Sequence, residues 1–103
     1  MSSSSFNVKF SGPTERNITV TQNIDKDLSK SKGGSIKLGI SEDFDKYEWF
    51  VGGSKEAEGK NVTLQAANPA FALGYNWITI VVYSGTGANA VPWSGEFTVV
   101  VSY

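Results

Sequence analysis

The chain has 103 residues, the size of one domain and enough to bury a single core without disulfides or metals. Its formal charge is −1, from 9 basic and 10 acidic residues dispersed along the sequence, so it carries no basic footprint for nucleic acid or an anionic membrane surface. Cysteine and histidine are absent, which excludes a thiol nucleophile, a Ser-His-Asp arrangement and the ordinary zinc ligand sets.

From the N-terminus, "MSSSSF" has neither the basic nor the apolar region of a secretory leader. Residues 1–5 are expected to be a flexible serine-rich tether ahead of one domain spanning 6–103. "FNVKF" then alternates Phe6, Val8 and Phe10 against polar neighbours, and "SGPTER" turns the chain into "NITVTQN" with Ile18 and Val20 on one face. This period of two is that of half-buried antiparallel strands. The polar "DKDLSKSKGG" leads to "SIKLGI", where Ile36, Leu38 and Ile40 alternate with Ser35, Lys37 and Gly39.

"KYEWFV" follows. Trp49 and Phe50 are adjacent, and neighbours on a strand point to opposite faces. Tyr47, Trp49 and Val51 are assigned to the core, leaving Glu48 and Phe50 outside. "GGSKEAEGK" reads as a linker to "NVTLQA", and "ANPAFALGY" as a crossover with room for one helical turn between Asn68-Pro69 and Gly74. "NWITIVVYS" and, after the loop "GTGANAVP", "WSGEFTVVVSY" complete seven strand segments. The longest apolar run, Trp77 to Tyr83, suits a strand and falls far short of the ~20 residues of a membrane-spanning helix. The fold class expected is all-β, a two-sheet antiparallel sandwich, with a closed barrel as the alternative.

From Ser35 to Tyr103 the chain resembles the immunoglobulin-like, PKD-like modules of bacterial cell-surface proteins and lipoproteins. The resemblance rests on Phe44, Asp45, Tyr47, Trp49 and Gly53, on Leu73-Gly74 before a long apolar strand, and on the closing "SGEFTVVV". There is no cysteine pair for an antibody-type disulfide, and Asn76 stands where a tyrosine corner would place Tyr. The resemblance implies an exported, cell-surface or extracellular, non-catalytic module that spaces, adheres to or presents other proteins. Its partners would be neighbouring domains, a surface protein or a glycan, and it implies no cofactor.

Carboxylate pairs are the remaining acid-base option, and a small sandwich seldom builds the cleft they need. No enzymatic activity is expected. Glu42, Asp43, Asp45 and Glu48, or Asp25 and Asp27, offer oxygen to calcium, but Lys46 and Lys26 interrupt both runs and no EF-hand spacing exists. Solvated loop carboxylates are the better reading, and no metal site is assigned. "SGTGAN" lacks the Lys-Ser/Thr ending and the following helix of a phosphate loop. Asn17 and Asn61 begin glycosylation sequons that matter only in a eukaryotic secretory pathway.

If Ile78, Ile80 and Val82 face inward on the penultimate strand, Trp77, Thr79, Val81 and Tyr83 face out; on the last strand Phe97, Val99 and Val101 point in and Val100 points out. Phe50, Trp77 and Tyr83 are then expected to share an exposed aromatic face, with Trp93 at its rim. Such a face is covered by the N-terminal segment or a loop, or stabilised by cross-strand aromatic pairing; otherwise it marks a protein interface, or stacks on sugar rings in a carbohydrate-binding module.

Overall fold

The computed structural model describes residues 2–24 and 27–103. Among them the chain forms eight strands: β1 (Ser2–Phe10), β2 (Arg16–Ile24), β3 (Ser35–Ile40), β4 (Lys46–Val51), β5 (Ser54–Glu58), β6 (Asn61–Gln65), β7 (Gly74–Ser84) and β8 (Val91–Val101). They build two antiparallel four-stranded sheets, ordered β1-β2-β3-β6 and β5-β4-β7-β8. The protein is an all-β sandwich, and its architecture is compatible with an Ig-like fold.

The alternating apolar residues meet between the sheets. Val8, Phe10, Ile18, Val20, Ile36, Leu38, Ile40 and Leu64 come from the first sheet; Tyr47, Trp49, Val51, Ile78, Ile80, Val82, Val99 and Val101 from the second. Trp49 is fully buried, and its indole N–H, which would be costly to leave unpaired there, donates to the Gly59 carbonyl at 2.7 Å. Tyr47 lies beside it. The Tyr47 hydroxyl accepts from the Phe44 amide (2.7 Å) and donates to the Glu42 carbonyl (3.0 Å), closing the acidic loop onto β4.

The strand count exceeds the seven segments because the expected linker is a strand. Gly52 and Gly53, at φ of +56° and +88°, make the two-residue turn between Val51 and Ser54. Positive φ at both positions is what a twisted hairpin demands. Lys55, Glu56 and Glu58 hide that hairpin from a hydrophobicity reading, since an edge strand can be almost wholly charged. Ser2–Ser5, expected as a tether, continue β1 opposite Thr21–Ile24. No helical turn forms between Asn68 and Gly74. Asn68 instead makes an Asx-type turn, its side-chain carbonyl accepting from the Ala70 amide at 2.9 Å.

Asn76, in the place of a corner tyrosine, is buried and grips the turn before it. Its amide accepts from Ala72 N–H at 2.8 Å and donates to the Ala72 and Gly74 carbonyls at 2.9 and 3.1 Å. This fixes the entry of β7, and with it the direction of every side chain that follows.

Candidate functional site

The outer face of the second sheet carries Lys46, Glu48 and Phe50 from β4, Tyr75, Trp77, Thr79, Val81 and Tyr83 from β7, and Pro92, Ser94, Glu96, Thr98 and Val100 from β8. The register sets Tyr75 opposite Val100, Trp77 opposite Thr98, Phe50 opposite Thr79, and Glu48 opposite Val81. Phe50, Trp77 and Tyr83 thus share a face as the alternation requires. The face is chemically divided along its length.

At the Tyr83 end it is an ion-pair network. The Tyr83 hydroxyl donates to Glu48 Oε1 at 2.7 Å, while Lys55 Nζ sits 2.8 Å from Glu48 Oε2 and 2.6 Å from Glu58 Oε1. Lys46 adds a longer contact to Glu48 at 3.7 Å and lies 5.7 Å from the Tyr83 ring centre. The hydrogen bond from Lys55, then that from Tyr83, holds the Glu48 carboxyl below the usual carboxylate range. Reciprocally, Glu48 pushes the Lys55 ammonium up to about 12 and raises the Tyr83 phenol. Glu48 is nearly buried. Tyr83 is therefore held by a carboxylate rather than offered as a stacking platform.

The opposite end is apolar and open. Tyr75 is 79%, Trp77 57% and Val100 55% exposed; Leu73 and Tyr103, also exposed, lie just outside the strands at the same end of the sheet, before β7 and after β8. These five are all of the large exposed hydrophobic residues among the described residues. A patch of this kind is unusual on a small domain unless something binds it. Phe50 is half-buried between the two ends, diagonal to Trp77 across the β4–β7 pairing.

Trp93 is not part of this face. It pairs with inward-facing Val82 and packs against the core from the other side of the sheet. There its indole N–H donates to the Thr14 carbonyl at 3.0 Å, and Arg16 lies 5.4 Å from the rings of both Trp93 and Phe44. The expected rim position fails because Trp93 has the parity of Gly95, Phe97 and Val99, which is the core parity of β8.

Tyr75, Leu73 and Tyr103 are not among the candidate site residues that the sequence suggests. Tyr75 shares the parity of Trp77, but beginning the strand at Asn76, after a glycine taken as a stop, left it outside. Gly74 in fact opens β7 with a φ of +91°.

The acidic residues do not converge. Glu42 pairs with Arg16 (2.5 Å), Asp43 with Lys60, Asp45 with the Gly85 amide (2.6 Å), and Glu48 with Lys55. Each carboxylate is neutralised or capped by its own partner, and no group of three metal-ligating side chains occurs among the described residues. Asp27 is exposed, while Asp25 and Lys26 lie outside the described residues. Comparison with family models, curated proteins and solved structures finds no match to this chain.

Proposed function

We propose that this domain is a non-catalytic binding module that contacts a protein partner through the apolar end of the β7–β8 face, within an exported surface protein of the kind its PKD-like features imply. One observation carries the reading: Tyr75, Trp77 and Val100, three of the five large exposed hydrophobic residues among those described, share one end of a single sheet face, with Tyr75 directly opposite Val100. Scattered apolar residues are ordinary, whereas a contiguous patch with aromatic members has the composition of an interface core. The ion-pair network at the Tyr83 end would form its polar rim. Adhesion, spacing and ligand presentation all fit such a module.

Carbohydrate binding is the second reading, favoured by a specific geometry. Tyr75 and Trp77 project from one strand in the same direction, about 6.8 Å apart along it, with the Thr98 hydroxyl opposite Trp77. Aromatic rings so placed offer apolar faces to sugar CH groups and polar edges to hydroxyls. In this version the platform is Tyr75 and Trp77, with Phe50 at its margin; Tyr83 and Trp93 are engaged elsewhere.

Arrays of extracellular proteins and of glycans, probed with the wild type and with Tyr75→Ser/Trp77→Ser, separate the readings. A protein signal abolished by the double substitution is the expected result. A glycan signal abolished by it supports the second reading, and signals indifferent to it overturn both.

A further inference from the structure

The free edge of β8 is built differently from the other edges. The Trp77 and Tyr83 carbonyls accept from Gly52 and Asp45 on the β4 side (3.0 and 2.9 Å), so odd-numbered residues of β7 direct their backbone groups to β4 and even-numbered ones to β8. The β7–β8 register runs unbroken from Gly74↔Val101 to Ser84↔Val91. Even-numbered residues of β8 therefore turn their N–H and C=O away from the sheet.

Two of these are occupied. Ser94 exchanges both bonds with Ser11 (2.9 and 3.0 Å), and Ser102 donates to the Leu28 carbonyl at 2.9 Å and accepts from Lys30 N–H at 2.8 Å. Between these brackets Glu96, Thr98 and Val100 present three N–H and three C=O groups without a partner among the described residues.

Elsewhere the edges carry the usual protection. β5 is short and charged, with Glu56 as the extra residue of a bulge; β6 has five residues; β1 carries Lys9. The β8 window, "GEFTVVV", has no lysine, proline or bulge. On its inner side Phe97 is only half-buried, edge-on to Phe6 at 5.2 Å, and on its outer side Val100 adjoins Tyr75.

We propose that this window receives an extended polypeptide segment of the partner protein, added to the sheet as an antiparallel strand; this deepens the binding-module reading and rests on it. Donors and acceptors repeating every two residues match the alternation of an extended peptide backbone. The brackets at Ser94 and Ser102 limit the paired length to about five residues. A second copy of β8 is a poorer occupant: antiparallel pairing about Thr98 would set each Glu96 opposite Val100 with no cation to meet it, and would crowd Ser94 and its partner Ser11 of one copy against Ser102 and its partners Leu28 and Lys30 of the other. Cross-strand pairing gives the segment its pattern. A basic residue belongs opposite Glu96, and apolar or β-branched residues opposite Phe97 through Val100. Read from its N-terminus, the segment is four apolar or β-branched residues followed by Lys or Arg.

Linear 12-residue peptides selected from a random phage-displayed library on the immobilised protein test this. Selected peptides are expected to share that pattern and to slow amide exchange at Glu96, Thr98 and Val100 by about tenfold or more. Thr98→Pro removes an N–H that the sheet does not use, and should abolish peptide binding; Val100→Lys serves the same purpose should the proline unfold the domain. The inference is overturned if no peptide is selected, if bound peptides leave these amides unchanged, or if binding survives both substitutions. Concentration-dependent dimerisation lost in Thr98→Pro also overturns it, in favour of a second copy. If partner binding is lost in Tyr75→Ser/Trp77→Ser but indifferent to Thr98→Pro, this inference falls while the binding-module reading stands.

Discussion

Two tryptophans on facing strands do opposite work. Trp49 is wholly enclosed between the sheets with its N–H satisfied, whereas Trp77, on the outer side of the same sheet, is more than half exposed. Replacing Trp49 with alanine removes the largest fully buried side chain and should cost ~3 to 5 kcal/mol in denaturant unfolding. Trp77→Ala should cost clearly less, about 1 to 2 kcal/mol at most, because more than half of its surface stays in contact with water on folding. Acrylamide quenching gives the same division: most quenchable emission should vanish in Trp77→Phe and remain in Trp49→Phe. Equal costs for the two alanine variants would mean that the outer face is covered in solution. Phe50, paired opposite Thr79 and half-buried, is intermediate between them.

The β4–β5 hairpin shows how an element with little apolar character is held. Glu48 takes Lys55 from the neighbouring strand and Tyr83 from the strand on its other side, so one carboxylate ties three strands together on the solvent face. Its acidity is enhanced in the fold by these donors. That contribution is therefore present above the unfolded carboxyl pKa of about 4.3 and is lost as the pH falls through the lower folded value. Lys55 acts in the opposite limb. With its folded pKa raised to about 12, its contribution is complete below the unfolded value of about 10.4 and disappears as the pH rises through the folded one. Glu48→Gln should lower Tm by roughly a few degrees near neutral pH and flatten the acid limb of the Tm profile below about pH 4.5. An unchanged acid limb would place the pH sensitivity in other carboxylates.

At the scale of the molecule, the two sheets close on each other at one edge, where β1 meets β8. Gly95 makes this approach feasible. A Cβ at that position would lie 2.7 Å from Val8 Cγ1 and 2.8 Å from the Phe10 ring, both core side chains with little room to retreat. Gly95→Ala is expected to destabilise by about 1 to 3 kcal/mol through overpacking, measured by denaturant unfolding, and to weaken the adjacent Ser11–Ser94 bridge, visible as faster exchange of those two amides. Stabilisation instead would show that β1 can shift away, and that the sandwich is not closed at this corner. The same closure leaves the β8 edge open farther along, which places the candidate docking window beside the apolar patch.

Period-two alternation alone determined much of this protein: the all-β class, the burial of Trp49, Ile78, Ile80 and Val82, and the outward direction of Phe50, Trp77 and Tyr83, while the choice of two stacked sheets over a closed barrel came from the tertiary structure. It could do so because side-chain direction on a strand is a local property of the pleat. Lateral order, by contrast, is set by pairing between residues distant in sequence, and the tertiary structure alone decided what depends on it. Pairing of β4 with both β5 and β7 turned a charged "linker" into a strand and gave Tyr83 to Glu48. The start of β7 at Gly74 added Tyr75 to the outer face, while Trp93, already directed inward by its parity on β8, found its partners Thr14 and Arg16 on that side. The outer face was legible strand by strand; its division into an ion-pair network and an apolar patch was not, because charges and rings act on their neighbours across the sheet.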